Sequence, residues 1–253
     1  MTVILEHKDE PRKSLVTVRL DSGKKLTCFN DQYCIGLGDW VFVESDSGPV
    51  RGYVTEVNHH FKIKKSAYKK ILSVADTEVH GQFYNARSHF VTFDPEALPL
   101  RKIKTWYSAP QADDEEFEVC WDGESFALSG LSGMKIQPHI AERGVEYYSQ
   151  NKVIYLGLDK ASGKGYAIVR GNRFYEVDFR YEDGRVSENF CSCPCVFTCK
   201  HQFAVMLQLD ETLKIVQENY NDLFEETGCF AAITKGELFA MAVDRPVKGG
   251  FVV

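Results

Sequence analysis

The chain has 253 residues, 44% hydrophobic and 26% charged, with a formal net charge of −6. That size and composition fit two modest globular domains with a core each, and the acidic balance argues against a protein living mainly on phosphate-backbone contacts. Eight cysteines, four of them within residues 191–199, are not spaced as a disulfide framework, no run nears the roughly 20 apolar residues of a membrane span, and no leader pattern opens the chain.

A reducing cytoplasm is the expected setting, without a membrane, and clustered thiols in it read as metal ligands. Charge is uneven along the chain: residues 1–107 hold 16 Lys and Arg against 13 acids, and residues 108–136 one lysine against seven acids. The stretch 108–118 (SAPQADDEEFE) has a proline, five acids and little apolar content, and reads as an exposed linker. The expected division is a domain over 1–107, an acidic connecting segment over 108–136, a second domain over 137–209 and a helix-and-hairpin extension over 210–253.

The first domain reads as β-rich. Residues 15–20 (LVTVRL) alternate, Asp21-Ser22-Gly23 turns them into 25–29, and 38–43 (GDWVFV) and 50–57 follow across a turn at 46–49. Short alternating runs between Gly, Asp and Ser turns predict a small antiparallel barrel or sandwich. Residues 61–75 hold a further strand and a short helix, and 90–93 and 103–107 are strand candidates. Trp40 and Trp106 are expected in cores, and Trp121, beside the acidic stretch, is a candidate anchor for a partner.

Beyond the linker the pattern is α+β. Residues 138–150 are helical in character. Four strands follow, at 152–158, 165–170, 173–181 and 185–193, separated by turns such as Asp183-Gly184, the favoured two-residue hairpin pair. Tyr175, Val177, Phe179 and Tyr181 share one face of the third strand. From Lys200 to Leu209 the apolar period becomes helical, an acidic helix is expected over 210–226, and 230–243 suggests a hairpin around Lys235-Gly236.

The chemistry concentrates in Cys191-Ser-Cys193-Pro-Cys195-Val-Phe-Thr-Cys199-Lys-His201. Zinc takes four Cys or His donors about 2.0–2.3 Å away in a tetrahedron. Cys191 and Cys193, two apart at a strand end, project from one face. Cys199 and His201 would lie about 200° apart on a regular helix, so Cys199 belongs in the cap before the helix and His201 in its first turn. The helix N-terminus and Lys200 favour thiolates there. Zn2+ on Cys191, Cys193, Cys199 and His201 is the expected centre, with Cys195 the alternative to His201.

The segment resembles the SWIM zinc-finger domain, a C-x-C…C-x-H motif with a hairpin before it and a helix after it. Cys191-Ser-Cys193-Pro and Cys199-Lys-His201-Gln-Phe-Ala carry the match, with the hairpin run from Tyr175 to Val186 upstream; the likeness covers roughly 137–209. It implies a DNA- or protein-binding role, often beside helicase-like ATPases, so the expected partner is DNA or a DNA-processing protein, such as an ATPase of that kind on a separate chain.

A closed four-ligand site contributes folding energy in place of chemistry. No phosphate loop, dinucleotide fingerprint, nucleophile elbow or H-E-x-x-H appears, so the expectation is a non-enzyme. The alternatives are a redox- or zinc-responsive regulator using Cys195 as attacking thiol, and an enzyme with its site in the first half. His59-His60, a lysine-rich stretch over 62–70, and Arg143, Arg170, Arg173, Arg180 and Arg185 read first as solvated or ion-paired surface, and second as phosphate contacts.

Overall fold

The computed structural model describes residues 12–109, 120, 122–242 and 250–253. Among them the chain forms two compact units, one from 12–77 with 100–109 and the other from 78–99 with the residues after 117.

The first unit is a closed five-stranded barrel of β1 (Ser14–Leu20), β2 (Lys25–Asn30), β3 (Trp40–Val43), β4 (Val50–Asn58) and β5 (Lys69–Val74), in the order β1-β2-β5-β3-β4. The β2–β5 pairing is parallel and the others are antiparallel. Alternation in β1 sends Val16 and Val18 inward, where Cys28, Val41, Val43, Val54 and Ile71 fill the interior, as a small barrel requires. The expected strand and short helix within 61–75 are β5 and a single 3-10 turn at Lys65–Ala67.

Residues 103–107, expected as a strand, are instead part of α1 (Leu100–Tyr107). Its buried Ile103, Trp106 and Tyr107 recur at three and four residues, the helical spacing, and their aromatic content masked it. Trp40 and Trp106 do fill a core, edge to face at 5.2 Å. Arg51 caps them with its guanidinium 4.9 and 4.3 Å from their ring centres, and donates to the Trp106 carbonyl at 2.9 Å.

The second unit is built on β6 (Gly81–Gln82), β7 (Tyr84–Ala86), β8 (His89–Thr92), β9 (Ser125–Ala127), β10 (Val153–Asp159), β11 (Lys164–Arg170), β12 (Phe174–Glu182), β13 (Arg185–Cys191), β14 (Cys229–Thr234) and β15 (Phe251–Val252). Eight of these form one sheet in the order β7-β8-β14-β10-β11-β12-β13-β9, and β6 pairs with β15. Its helices are α2 (Pro138–Ser149), α3 (Lys200–Asn219), α4 (Asn221–Thr227) and α5 (Lys235–Ala242). α3 buries Ala204, Val205, Met206, Leu209, Leu213 and Val216 against Leu156, Ala167, Val177 and Val186 of the sheet. α2 packs on α3, and α5 meets the opposite sheet face through Phe239 against Phe90.

Three boundaries differ from the sequence expectation. The first domain does not run unbroken to 107, because β8 pairs with β14 some 140 residues away, Val91 opposite Ala232. The 108–136 segment is not all linker, since β9 closes the sheet edge against β13; the stretch 110–119 and Trp121 lie outside the described residues. Nor is 210–253 an extension: α3 continues through 209 to Asn219, and β14 lies inside the sheet between β8 and β10. The hairpin expected over 230–243 is β14 followed by α5, whose buried Leu238, Met241 and Ala242 follow helical spacing while Glu237 sits in the first turn, where the dipole favours acids.

Candidate metal centre

The site begins with the hairpin that carries it. Asp183 and Gly184 both have positive φ, 48° and 76°, the primed turn whose twist matches its strands. The register then pairs Tyr181 with Val186 but Val177 with Cys191. Five residues on β12 (177–181) thus face six on β13 (186–191), and the extra residue lies in the stretch 188–189, where Glu188 is left-handed at φ 48°. This bulge matters for the ligand. Val186 and Cys191 are five apart and would face opposite ways on a regular strand; the bulge returns Cys191 to the Val177 side, which α3 covers. The strand ends at Cys191, two residues before the expected end, and Cys193 follows in a bend.

From the other side, Cys199 is the N-cap of α3, extended at φ −106° and ψ 167°, as its spacing to His201 requires. Its thiol accepts the Gln202 N–H, while its own N–H donates to Gln202 Oε1 at 2.8 Å, a reciprocal capping box. Gln202 also donates from Nε2 to the Asn189 carbonyl at 2.6 Å, so one buried amide ties the helix cap to the bulge. Gln202, the bulge at 188–189 and the aromatic flanks of His201 escaped the sequence reading. The switch in apolar parity between Val186 and Cys191 was the one local sign of the bulge.

Cys191, Cys193, Cys199 and His201 place their donor atoms within 4.8 Å of one another, three of the four residues buried. His201 Nδ1 lies 3.7 Å from both Cys191 Sγ and Cys199 Sγ. A tetrahedral zinc with ordinary bond lengths separates its nitrogen and sulfur ligands by about 3.6 Å, so the donors fit the ion. The His201 ring stacks on Tyr175, centroids 4.3 Å apart and planes at 20°, with Tyr147 edge-on at 5.4 Å. Nε2, buried and without a hydrogen-bond partner among the described residues, does not orient the ring, so the two tyrosines do.

Without metal the three sulfurs do not share charge evenly. A hydrogen bond from Cys191 holds the Cys199 thiol down to about 4, opposed by burial and helped by His201 and the Gln202 N–H. Cys191, donating that bond and buried, is pushed up, and burial raises Cys193 to about 11. One thiolate is stable in so small a volume; a dication makes the others stable too, and its uptake displaces their protons.

Cys195, the sequence alternative to His201, is exposed and outside the donor group, although its N–H donates to the Cys193 sulfur. The other candidates do not join the centre. His59 and His60 are exposed, with His59 Nδ1 3.3 Å from the Lys13 carbonyl. Lys65 and Lys69 pair with Asp31 and Asp46. Arg170 pairs with Glu237, Arg180 with Glu182 and Glu188, and Arg185 donates to Ser125. No described helix is long and apolar enough to cross a membrane.

No curated protein and no solved structure is similar enough to match the chain. Residues 175–210 match the SWIM zinc finger family, and because all four donors fall inside that span with spacing that suits zinc, this chain carries a zinc finger of the SWIM family.

Proposed function

We propose that this chain is a non-enzymatic adaptor, working in the cytoplasm, whose zinc finger binds DNA or a DNA-processing protein such as a separate helicase-like ATPase. The observation that carries this reading is the closed donor set: three thiols and an imidazole converge on one point, which leaves no coordination position for a reactive water. Zinc there fastens the β12–β13 hairpin to the start of α3 and so fixes the surface between them, the role of a scaffold for contacts.

The test is pull-down from cell extract with the zinc-loaded chain and with the chelated chain, each with and without nuclease. Capture of DNA, or of a DNA-processing protein, that requires zinc is the expected result. Nuclease-resistant capture identifies the protein partner. Turnover of a substrate by the purified chain would overturn the reading, and so would zinc release at physiological peroxide that switches binding off, the behaviour of a redox regulator using exposed Cys195.

A further inference from the structure

Between Cys193 and Cys199 the chain turns out of the unit and exposes two adjacent apolar side chains. Val196 is 89% and Phe197 80% solvent-accessible, the highest values among the exposed large hydrophobic residues that the structure describes. Scattered single apolar residues on a surface are ordinary, but an adjacent Val-Phe pair this exposed, with both loop ends fixed by buried metal ligands, is a preorganised contact. With its loop anchored at both ends, the backbone that carries Phe197 has less freedom to lose on binding.

Two cations carried on the same finger point to the occupant. Lys200 follows the cap, its ammonium 4.3 Å from the Tyr147 ring centre. Arg173 lies in the β11–β12 turn, its guanidinium 5.2 Å from the Tyr175 ring centre. Tyr147 and Tyr175 are the two rings that flank His201, so both cations sit on the wall of the finger. The backbone also brings that turn and the loop to one edge, since Ser192 donates to the Glu176 carbonyl at 2.9 Å and extends β13 alongside the start of β12. Neither cation has a carboxylate partner among the described residues, unlike Arg170, Arg180 and Lys160.

We infer that this edge of the finger is a platform for single-stranded DNA, with Phe197 stacking on a base and Lys200 and Arg173 receiving the flanking phosphates. The inference rests on the nucleic-acid arm of the proposed function and narrows it. Two phosphate contacts give a shallow salt dependence, too little to hold a duplex against a chain of net charge −6. Stacking on an exposed aromatic, by contrast, is available where bases are not already stacked on one another, and is sequence-tolerant. Two cations at its rim, without carboxylate partners among the described residues, match the phosphates on either side of a stacked base.

Fluorescence anisotropy of the zinc-loaded full chain, with a labelled oligothymidylate, an oligouridylate and a mixed-sequence DNA duplex, tests this between about 50 and 200 mM salt. The oligothymidylate should bind more tightly than the duplex. Phe197→Ala should weaken it about tenfold or more with the salt slope unchanged, and with zinc content and melting temperature unchanged because the side chain is exposed. Lys200→Ala and Arg173→Ala should each lower the slope of log K against log salt by about 0.7.

Duplex binding that ignores Phe197→Ala would sink the platform and leave the proposed function standing. Preference for the oligouridylate would assign the site to RNA and overturn the DNA assignment. Absence of binding to all three probes, with a captured protein lost on Phe197→Ala, would make the pair a protein anchor and overturn the inference as well.

Discussion

At the scale of single residues, the centre depends on one amide outside the ligand set. Gln202 accepts from the Cys199 N–H and donates to the Asn189 carbonyl, holding the cap of α3 against the bulge of β13 before any metal arrives. Groups that orient ligands typically contribute 10- to 100-fold to metal affinity. Gln202→Leu should therefore keep zinc stoichiometric but weaken it by about that factor in chelator competition, and Cys195→Ser should change neither. Loss of zinc from Cys195→Ser would return that thiol to the ligand set, and unchanged affinity in Gln202→Leu would reduce the amide to a passive cap. The four donors of the cluster were legible in the sequence because their spacing is local: two fall at a strand end and in the bend after it, two at a helix cap and in its first turn. Gln202 was not, since its significance lies in a carbonyl thirteen positions away, exposed by a bulge that no composition announces.

Among elements, the separation of α2 and α3 sets where Tyr147 stands against His201. Gly144, buried on α2, faces Phe203 so closely that an added Cβ would lie 2.7 Å from the ring and 2.9 Å from the Phe203 Cβ. That second atom is fixed to the backbone of α3, so it cannot yield without moving the helix. Alanine gains roughly 1 kcal/mol in helix propensity over glycine, whereas overpacking costs about 1–3 kcal/mol. The clash outweighs the propensity: Gly144→Ala should lower stability by about 1 kcal/mol in denaturant melts and loosen the Tyr147 contact with His201, read as weaker zinc retention. A stabilised variant with unchanged zinc binding would show that the helices part freely. The hairpins were readable because Asp183-Gly184 and the alternation of β12 are short-range signals. α1 was misread as a strand because its aromatics favour β structure locally, while the burial of Ile103, Trp106 and Tyr107 that selects the helix is tertiary.

For the whole second unit, the finger is not an autonomous module, and the reason lies in the strand order. β10 is flanked by β11 and β14, and β14 is flanked in turn by β8, so the sheet supporting the hairpin includes residues 89–92 and 229–234. Cutting the chain to 137–209 would remove β14, with Phe230, Ala232 and Ile233 buried in it, and the second half of α3, with Leu213 and Val216. Each large side chain so lost forfeits about 1.5–3 kcal/mol of burial, and four of them already approach the roughly 5–15 kcal/mol that holds a typical domain together. Zinc cannot restore this, because its ligands span only β13 and the first turn of α3. The fragment 137–209 loaded with zinc should accordingly melt without a cooperative transition, while the fragment 78–253, which keeps every strand of the sheet, should show one. A sharp zinc-dependent transition in 137–209 would mean that hairpin, metal and half-helix suffice. The sequence suggested such a limit because the motif and the fold's short-range signals both end near 209, but the strand that completes the sheet returns only after α4.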